Sequence, residues 1–471
     1  MPPPSSLTFY GAVGEVTGSM HLGFHRGNRW AVDCGLIQGT RKAEAENYAP
    51  WPFKPSDLTT LVLTHAHMDH AGRLPKLIRD GFRGVVHCTD ATRDLAEILL
   101  KDSAKLQTEE AKYRTKIALR RGEDPREDPF NTPLYTMLDV RPAIRRMRPH
   151  PLGVWSQIGE GLEVRFHDAG HILGSTHAEL RLTGQKTISI LYSGDIGRYS
   201  VALMRDPAPP PTTDILVMES TYGDRNHPDV DVSAALADAI NPALQRGGIV
   251  LIPAFAVSRT QSVLWYLAEL EQQGRIPSVP VYLDSPMAQE TTQLYRKYPD
   301  ILDPPLRGQG LAMQFPRQYR EVVNRDDSKA LNARHDPCII IAASGMLSGG
   351  RILHHVAMRA PVRENLILFT GYQAEGTLGR RVLDGAPSIR IFGADIPVRA
   401  EVEQISGFSG HADQDELIRW AKGFNPAPRH TFLVHGEREA SEALQERLRS
   451  ELGWKVEIPV TGRAIPISTL L

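Results

Sequence analysis

Cysteine is scarce in this 471-residue chain: there are three, Cys34, Cys88 and Cys338. They lie far apart and are odd in number, so they build neither a disulfide framework nor a CxxC ligand pair. A reducing, cytoplasmic setting is the expectation. An excess of either charge is lacking too. Lys and Arg total 54 against 55 Asp and Glu, a formal net charge of -1. Bulk charge therefore offers no attraction to nucleic acid, and a polyanion would need a local basic cleft. No apolar run is long enough to span a bilayer, so no membrane partner is expected. Met1-Pro2-Pro3-Pro4-Ser5-Ser6 has neither the basic start nor the apolar core of a secretory signal. What remains is an ordinary globular composition with room for two or three domains.

Against that plain background one stretch stands out. His65-Ala66-His67-Met68-Asp69-His70 puts three imidazoles and a carboxylate within six residues. It follows Leu61-Val62-Leu63-Thr64, an apolar run that reads as a buried strand. Imidazole nitrogen and carboxylate oxygen together suit zinc or a similar borderline metal. His65 and His67 can reach one ion; Asp69 and His70, one turn further on, can reach a second. Asp33 closes another apolar run, Trp30-Ala31-Val32, ahead of Cys34-Gly35. It reads either as a turn carboxylate or as the acceptor that fixes the tautomer of a ligating histidine.

Residues 7–34 read as an opening β-meander. After the histidine cluster come a helix over 72–80 and the strand Val85-Val86-His87-Cys88. Residues 90–121, with Leu95, Leu99 and Leu106 at helical spacing, read as a surface helix pair without chemistry. Arg145, Arg146 and Arg148 read as a solvated basic face. Strands over 162–167 and 188–192 run into Asp168-Ala169-Gly170-His171 and Ser193-Gly194-Asp195. These supply a third histidine for the first ion and a bridging carboxylate, a two-metal arrangement.

The proline-rich residues 206–213 mark a boundary. Beyond it, apolar strands beginning with Ile215-Leu216-Val217-Met218 alternate with helices, the texture of a parallel α/β sheet. The carboxyl ends of its strands carry Glu219-Ser220-Thr221, Ser344-Gly345-Met346 and Gly371-Tyr372-Gln373, where active-site residues belong. Gly345, Gly349 and Gly350 open a helix; they either present N–H groups to a phosphate or make an ordinary turn. From residue 391 the texture of the opening returns: a strand over 398–405, Ser409-Gly410-His411-Ala412-Asp413, a helix to Lys422, the strand Thr431-Phe432-Leu433-Val434, and His435-Gly436-Glu437. The expected domains are 1–207 and 389–471 for the metal-binding part and 208–388 for an insertion, with the active site in the cleft between them.

In this order the residues resemble the β-CASP family of metallo-β-lactamase-fold nucleases, and more closely its RNA-processing branch, which includes the cleavage and polyadenylation endonuclease and its bacterial homologues. The match runs along essentially the whole chain: Asp33, HxHxDH at 65–70, His171, Asp195, Glu219, His411 and His435. HxHxDH alone also occurs in glyoxalases and lactamases; the ordered set is far more specific. Ser258 departs from the family, which usually has glycine there. The resemblance implies an α/β protein, a metallo-β-lactamase αββα sandwich with an inserted parallel-sheet α/β domain. It implies two Zn2+ ions, one held by His65, His67 and His171, the other by Asp69, His70 and His435, with Asp195 bridging and Asp33 behind. It makes His411, Glu219 and Asp69 the catalytic set, and Ser344, Gly345 and Ser409 the expected substrate contacts. Histidine at the position of His435 goes with RNA substrates in the family. The implied activity is hydrolysis of single-stranded RNA to 5′-phosphate and 3′-hydroxyl products, as an endonuclease or also a 5′→3′ exonuclease, in RNA processing or decay. A homodimer is a further expectation. A DNA nuclease shares the metal chemistry but fits His435 poorly. A small-molecule hydrolase needs neither the insertion nor His411. A non-catalytic scaffold would have lost metal ligands, and none is missing.

Overall fold

A computed structural model describes residues 5–303 and 315–471. Residues 1–4, part of the N-terminal stretch read above, lie outside the described residues. The chain divides into two compact units: Met1–Ser200 with Met204–Asn226 and His411–Leu471, and Val201–Leu203 with His227–Gly410.

The first unit is built on two seven-stranded sheets. One runs, in spatial order, Ile465–Pro466, Ser6–Gly11, Met20–His25, Asn28–Val32, Thr60–Val62, Val85–Cys88 and Met147–Pro149. The other runs Val456–Glu457, His430–Val434, Ile215–Glu219, Ile188–Tyr192, Thr176–Leu182, Leu162–Asp168 and Ser156–Gly159. A continuous core joins them, with Leu7, Phe9, Trp30 and Val62 from the first sheet and Phe166, Leu180, Val217 and Phe432 from the second. Each such large side chain contributes roughly 1.5–3 kcal/mol by leaving water.

Ile215–Glu219 shows how the layers are read out of an apolar run. Every residue in it is buried, which hides the period of two. Ile215 and Val217 face the first sheet. Leu216 and Met218 face Ile418, Trp420, Leu444 and Leu448 of the helices Gln414–Ala421 and Arg438–Leu452. The strand is parallel to Ile188–Tyr192 on one side and to His430–Val434 on the other. It therefore belongs to the first unit, not to the insertion, and the compact units divide at 226/227 and 410/411 rather than at the proline-rich stretch.

Residues 90–121 form one helix, Asp90–Arg121, and not a pair. No proline or glycine interrupts it. Thr89 caps its start by accepting the Thr92 N–H, and Gly122, at φ 72°, closes it in the left-handed conformation. Leu95 and Leu99 are buried, whereas Leu106 is exposed.

The second unit holds a six-stranded parallel sheet, ordered Tyr319–Glu321, Val281–Leu283, Ile339–Ala342, Val250–Pro253, Leu366–Phe369 and Glu401–Gln404. The central strands are buried throughout, as a sheet covered on both faces requires. The strand expected over 398–405 is Glu401–Gln404, and it pairs with Leu366–Phe369 in this unit. Its polar sequence suits an edge. Among the described residues no helix is long and apolar enough to cross a membrane.

Asp284, at the end of Val281–Leu283, is fully buried. Its carboxylate accepts from Ser328 Oγ at 2.6 Å and Arg351 Nη1 at 2.7 Å, and lies 2.6 Å from His355 Nε2. Burial pushes the carboxyl pKa up, but the bonds from His355, Ser328 and Arg351 outweigh it, and the net shift is downward. Its stabilisation is therefore complete above its unfolded value and lost as pH falls through the folded one. Asp284→Ala is expected to cost about 1–3 kcal/mol in urea unfolding at pH 7, since it leaves the buried Ser328 hydroxyl and His355 Nε2 without their partner. The gap to wild type should narrow below about pH 4.

Candidate metal centre

The loop after Thr60–Val62 carries His65 and His67 into the short helix Met68–Ala71, which carries Asp69 and His70. Asp33 pins this loop. It closes Asn28–Val32 at φ 62°, a conformation in which aspartate is tolerated better than most residues. Its Oδ1 accepts the Thr64 N–H at 2.8 Å, and its Oδ2 lies 2.9 Å from Thr64 Oγ1 and 2.8 Å from His70 Nδ1. A carboxylate accepts, so the His70 proton sits on Nδ1 and Nε2 is aimed at Asp195 Oδ1, 3.1 Å away. Thr64 Oγ1 likewise lies 3.1 Å from His65 Nδ1, and His65 Nε2 faces Asp195 Oδ2 at 3.2 Å.

His171 arrives on the loop after Leu162–Asp168, with Nε2 3.2 Å from His67 Nδ1 and 3.5 Å from Asp195 Oδ2. His435 follows His430–Val434. Its Nδ1 is 3.0 Å from Thr221 Oγ1, and its Nε2 is 3.5 Å from Asp69 Oδ2. Donor atoms of His65, His67, His171 and Asp195 all lie within 4.8 Å of one another, as do those of Asp69, His70 and His435. The sequence groups are thus brought together in the first unit, with Asp195 touching both.

These residues fit divalent cations. His65 Nε2, His70 Nε2, His435 Nε2 and both Asp195 oxygens are buried and make no hydrogen bond among the described residues. Buried polar atoms are normally paired, so convergent unpaired nitrogens and oxygens of this kind point to a metal. Burial and the neighbouring His65 push His67 down to about 3. Burial and His70 lower His65, and burial and His411 lower His171. Neutral imidazole is the ligating form.

Glu219 and His411 stand beside this set, within 4.8 Å of Asp195 by their donor atoms. The Glu219 N–H donates to Ser193 Oγ at 2.9 Å. Its Oε1 accepts the Ile196 N–H at 2.5 Å and lies 3.3 Å from His411 Nδ1; its Oε2 accepts the Thr221 N–H at 3.2 Å. His411 Nε2 points to Asp195 Oδ2 at 3.8 Å. Burial works against a charged His411, but the Glu219 and Asp195 carboxylates prevail and raise it to about 9. A protonated imidazole with one nitrogen anchored and the other aimed at the donor set has a proton it can give.

Thr64, Ser193 and Thr221 each hold a site residue in place, a role that the sequence alone does not assign them. Their only signal is adjacency, a hydroxyl residue within two positions of a motif residue. Ser344, Gly345 and Ser409 lie in the second unit. Ser344 Oγ accepts the Ser348 N–H at 2.9 Å, and the Gly345 carbonyl accepts from Gln373 Nε2 at 3.1 Å.

The helix Met68–Ala71 is clamped from behind: Ser19 N–H donates to the Asp69 carbonyl, Cys34 N–H to that of His70 and Leu36 N–H to that of Met68. Gly35 makes the approach feasible, because a Cβ there would lie 1.5 Å from the Asp69 oxygen. Gly35→Ala should therefore displace Asp69 and His70 and give protein of low metal content by elemental analysis. Asp33→Ala, which frees the His70 ring, should weaken metal binding about 10- to 100-fold in competition with a chromophoric chelator.

Comparison with known proteins agrees with this geometry. The metallo-beta-lactamase superfamily model matches residues 32–240, the Beta-Casp domain model 260–382, and the model of the Zn-dependent metallo-hydrolase RNA specificity domain 395–459. Ribonuclease TTHA0252 of Thermus thermophilus is 38% identical over 462 residues, 97% of this chain and 99% of its own. Transcription termination factor FttA of Methanocaldococcus jannaschii is 32% identical, over 98% of this chain and 71% of its own. A protein of unknown function from Enterococcus faecalis V583 shares the fold, with a TM-score of 0.55 at 14% identity over 98% of this chain and all of that one. Full-length similarity at this level, over an assembled donor set, shows that the chain belongs to the β-CASP family of metallo-β-lactamase-fold RNA nucleases.

Proposed function

We propose that this chain is a two-zinc ribonuclease that hydrolyses single-stranded RNA to 5′-phosphate and 3′-hydroxyl products. The observation that carries the reading is His411, held at one nitrogen by Glu219 and aimed with the other at the shared carboxylate Asp195. RNA as substrate is supported by the matched RNA specificity domain model and by the relative named a ribonuclease.

His65, His67 and His171 would hold one zinc and Asp69, His70 and His435 the other, with Asp195 serving both; bound there, the ions supply charge neutralisation and make water acidic enough to attack phosphorus. The remaining work falls to the chain. Asp33 and Thr64 keep His65 and His70 in the ligating orientation. Thr221 does the same for His435. Phosphodiester cleavage leaves a 3′ oxygen that must gain a proton, and His411 gives it from Nε2. Glu219 holds Nδ1, so the ring cannot turn away, and its charge keeps the imidazole protonated at neutral pH. Asp69 stands beside His435, with its side chain 23% exposed, where an incoming substrate and its water meet it. The RNA 2′-hydroxyl takes no part as nucleophile.

His411→Ala should keep its metal and lose about 10²- to 10⁴-fold in turnover, whereas His435→Ala should lose metal at one site by elemental analysis. The deciding assay uses matched RNA and DNA strands, labelled at either end, with chelated enzyme and His411→Ala as controls. Cleavage of RNA alone, abolished in both controls, is the expected result. Internal cuts mark an endonuclease, and mononucleotides from the 5′ end an exonuclease. Failure of zinc-loaded wild type to cut either polymer overturns the reading.

A further inference from the structure

The helix Asp90–Arg121 begins at the candidate metal centre and leads away from it. The hydroxyls of Thr89 and Thr92 donate to the Gly174 carbonyl at 2.9 and 2.7 Å, three residues beyond His171. At 1.5 Å per residue, Lys112 to Arg120 then lie ~30–42 Å along the helix from that anchor. Several cations of the helix are paired: Arg93 with Asp94, Lys101 with Glu97 and Arg114 with Glu110. Others are not. Lys112, Lys116 and Arg120 follow one another at four-residue spacing, on one face, all exposed. None forms an ion pair among the described residues. Residues three and four positions from Lys116 are Lys112, Tyr113, Leu119 and Arg120, so no acidic side chain at those positions offsets its charge.

These cations rim a groove of about 680 Å³ whose floor is Thr108, Ala111, Thr115, Leu119 and Pro133. No carboxylate lines it. Leu119 is 62% exposed in it, an apolar surface beside mutually repelling positive charges. That pairing suits a polymer with phosphates along its edge and flat bases between them. It does not suit a second copy of this face, which would bring like charge against like.

We infer that the Lys112–Lys116–Arg120 stripe and its groove form a secondary RNA-binding site, holding substrate about nine to twelve stacked nucleotides from the cleaved bond. The inference rests on the ribonuclease reading above. The site contributes binding to long RNA only, since a short oligonucleotide in the metal centre does not reach it. Each neutralised phosphate releases counterion, so three contacts on single-stranded RNA account for about 2 units of the slope of log affinity against log salt.

The test uses the zinc-loaded full chain with Lys112→Gln, Lys116→Gln and Arg120→Gln combined. A control combines Lys54→Gln, Lys186→Gln and Arg26→Gln, which removes the same charge at exposed positions elsewhere in the unit. Substrates are a 30-nucleotide and a 5-nucleotide RNA of the same cleavage sequence; binding of the long RNA by anisotropy is followed from 50 to 300 mM salt. The stripe variant should bind the long RNA about 10- to 100-fold more weakly, with a slope shallower by about 2, and cleave the short RNA like wild type. The control should match wild type throughout. Equal losses in both variants, or equal losses on both RNAs, overturn the site, as does an unchanged slope. An acidic protein as the true occupant shows as unchanged RNA binding. Failure of wild type to cleave either RNA overturns the ribonuclease reading instead.

Discussion

A carboxylate leaves water only if something inside the fold carries its charge. Asp195 is 1% exposed and has no hydrogen bond to either oxygen among the described residues; nitrogens of His65, His70, His171, His411 and His435 surround it at 3.1 to 3.8 Å. Each imidazole comes from a different part of the chain or a different turn of one loop. The arrangement holds only while cations, or protons on those rings, balance the carboxylate. The site and the fold of the first unit therefore depend on each other: misplacing the carboxylate leaves five rings without their common partner, and removing the rings leaves a bare charge in the core.

Sheet topology makes that convergence possible with little effort. Ile188–Tyr192, Ile215–Glu219 and His430–Val434 are adjacent and parallel, so their carboxyl ends emerge at one edge and deliver Asp195, Glu219 and His435 side by side. In the facing sheet Asn28–Val32 and Thr60–Val62 are also parallel neighbours, delivering Asp33 and the HxHxDH loop. Two sets of parallel strand ends, separated by one layer of apolar side chains, bring the donors together. Hydroxyls of Thr64 and Thr221 then fix ring orientation, and Ser193 accepts the Glu219 backbone N–H.

The chemistry-bearing residues were legible because their types are rare in such density and because strand ends are easy to find. Donor atoms of His65, His67, Asp69, His70, His171, Asp195, Glu219, His411 and His435 converge in the first unit. The supporting hydroxyls were not legible, since threonine at a strand end is ordinary and its partner lies far off in sequence. Strand ownership failed for a related reason. Ile215–Glu219 and Glu401–Gln404 are decided by which neighbour they hydrogen-bond to, and neither composition nor a preceding run of prolines encodes that. Residues 90–121 make one helix rather than a pair because no proline or glycine interrupts them before Gly122.

The order in which the chain emerges from a ribosome gives the split first unit a further meaning. The sheet that holds Ile215–Glu219 remains short of His430–Val434 until the second unit, Val201–Leu203 and His227–Gly410, has been made. Until then Ile215–Glu219 has an open edge, Asp69 and His70 lack His435, and Glu219 lacks His411. A growing chain therefore carries most of the donors of an RNA-cutting centre yet not the set, while still tethered to the message that encodes it. The last donors, His411 and His435, reach the centre only after the second unit has been made.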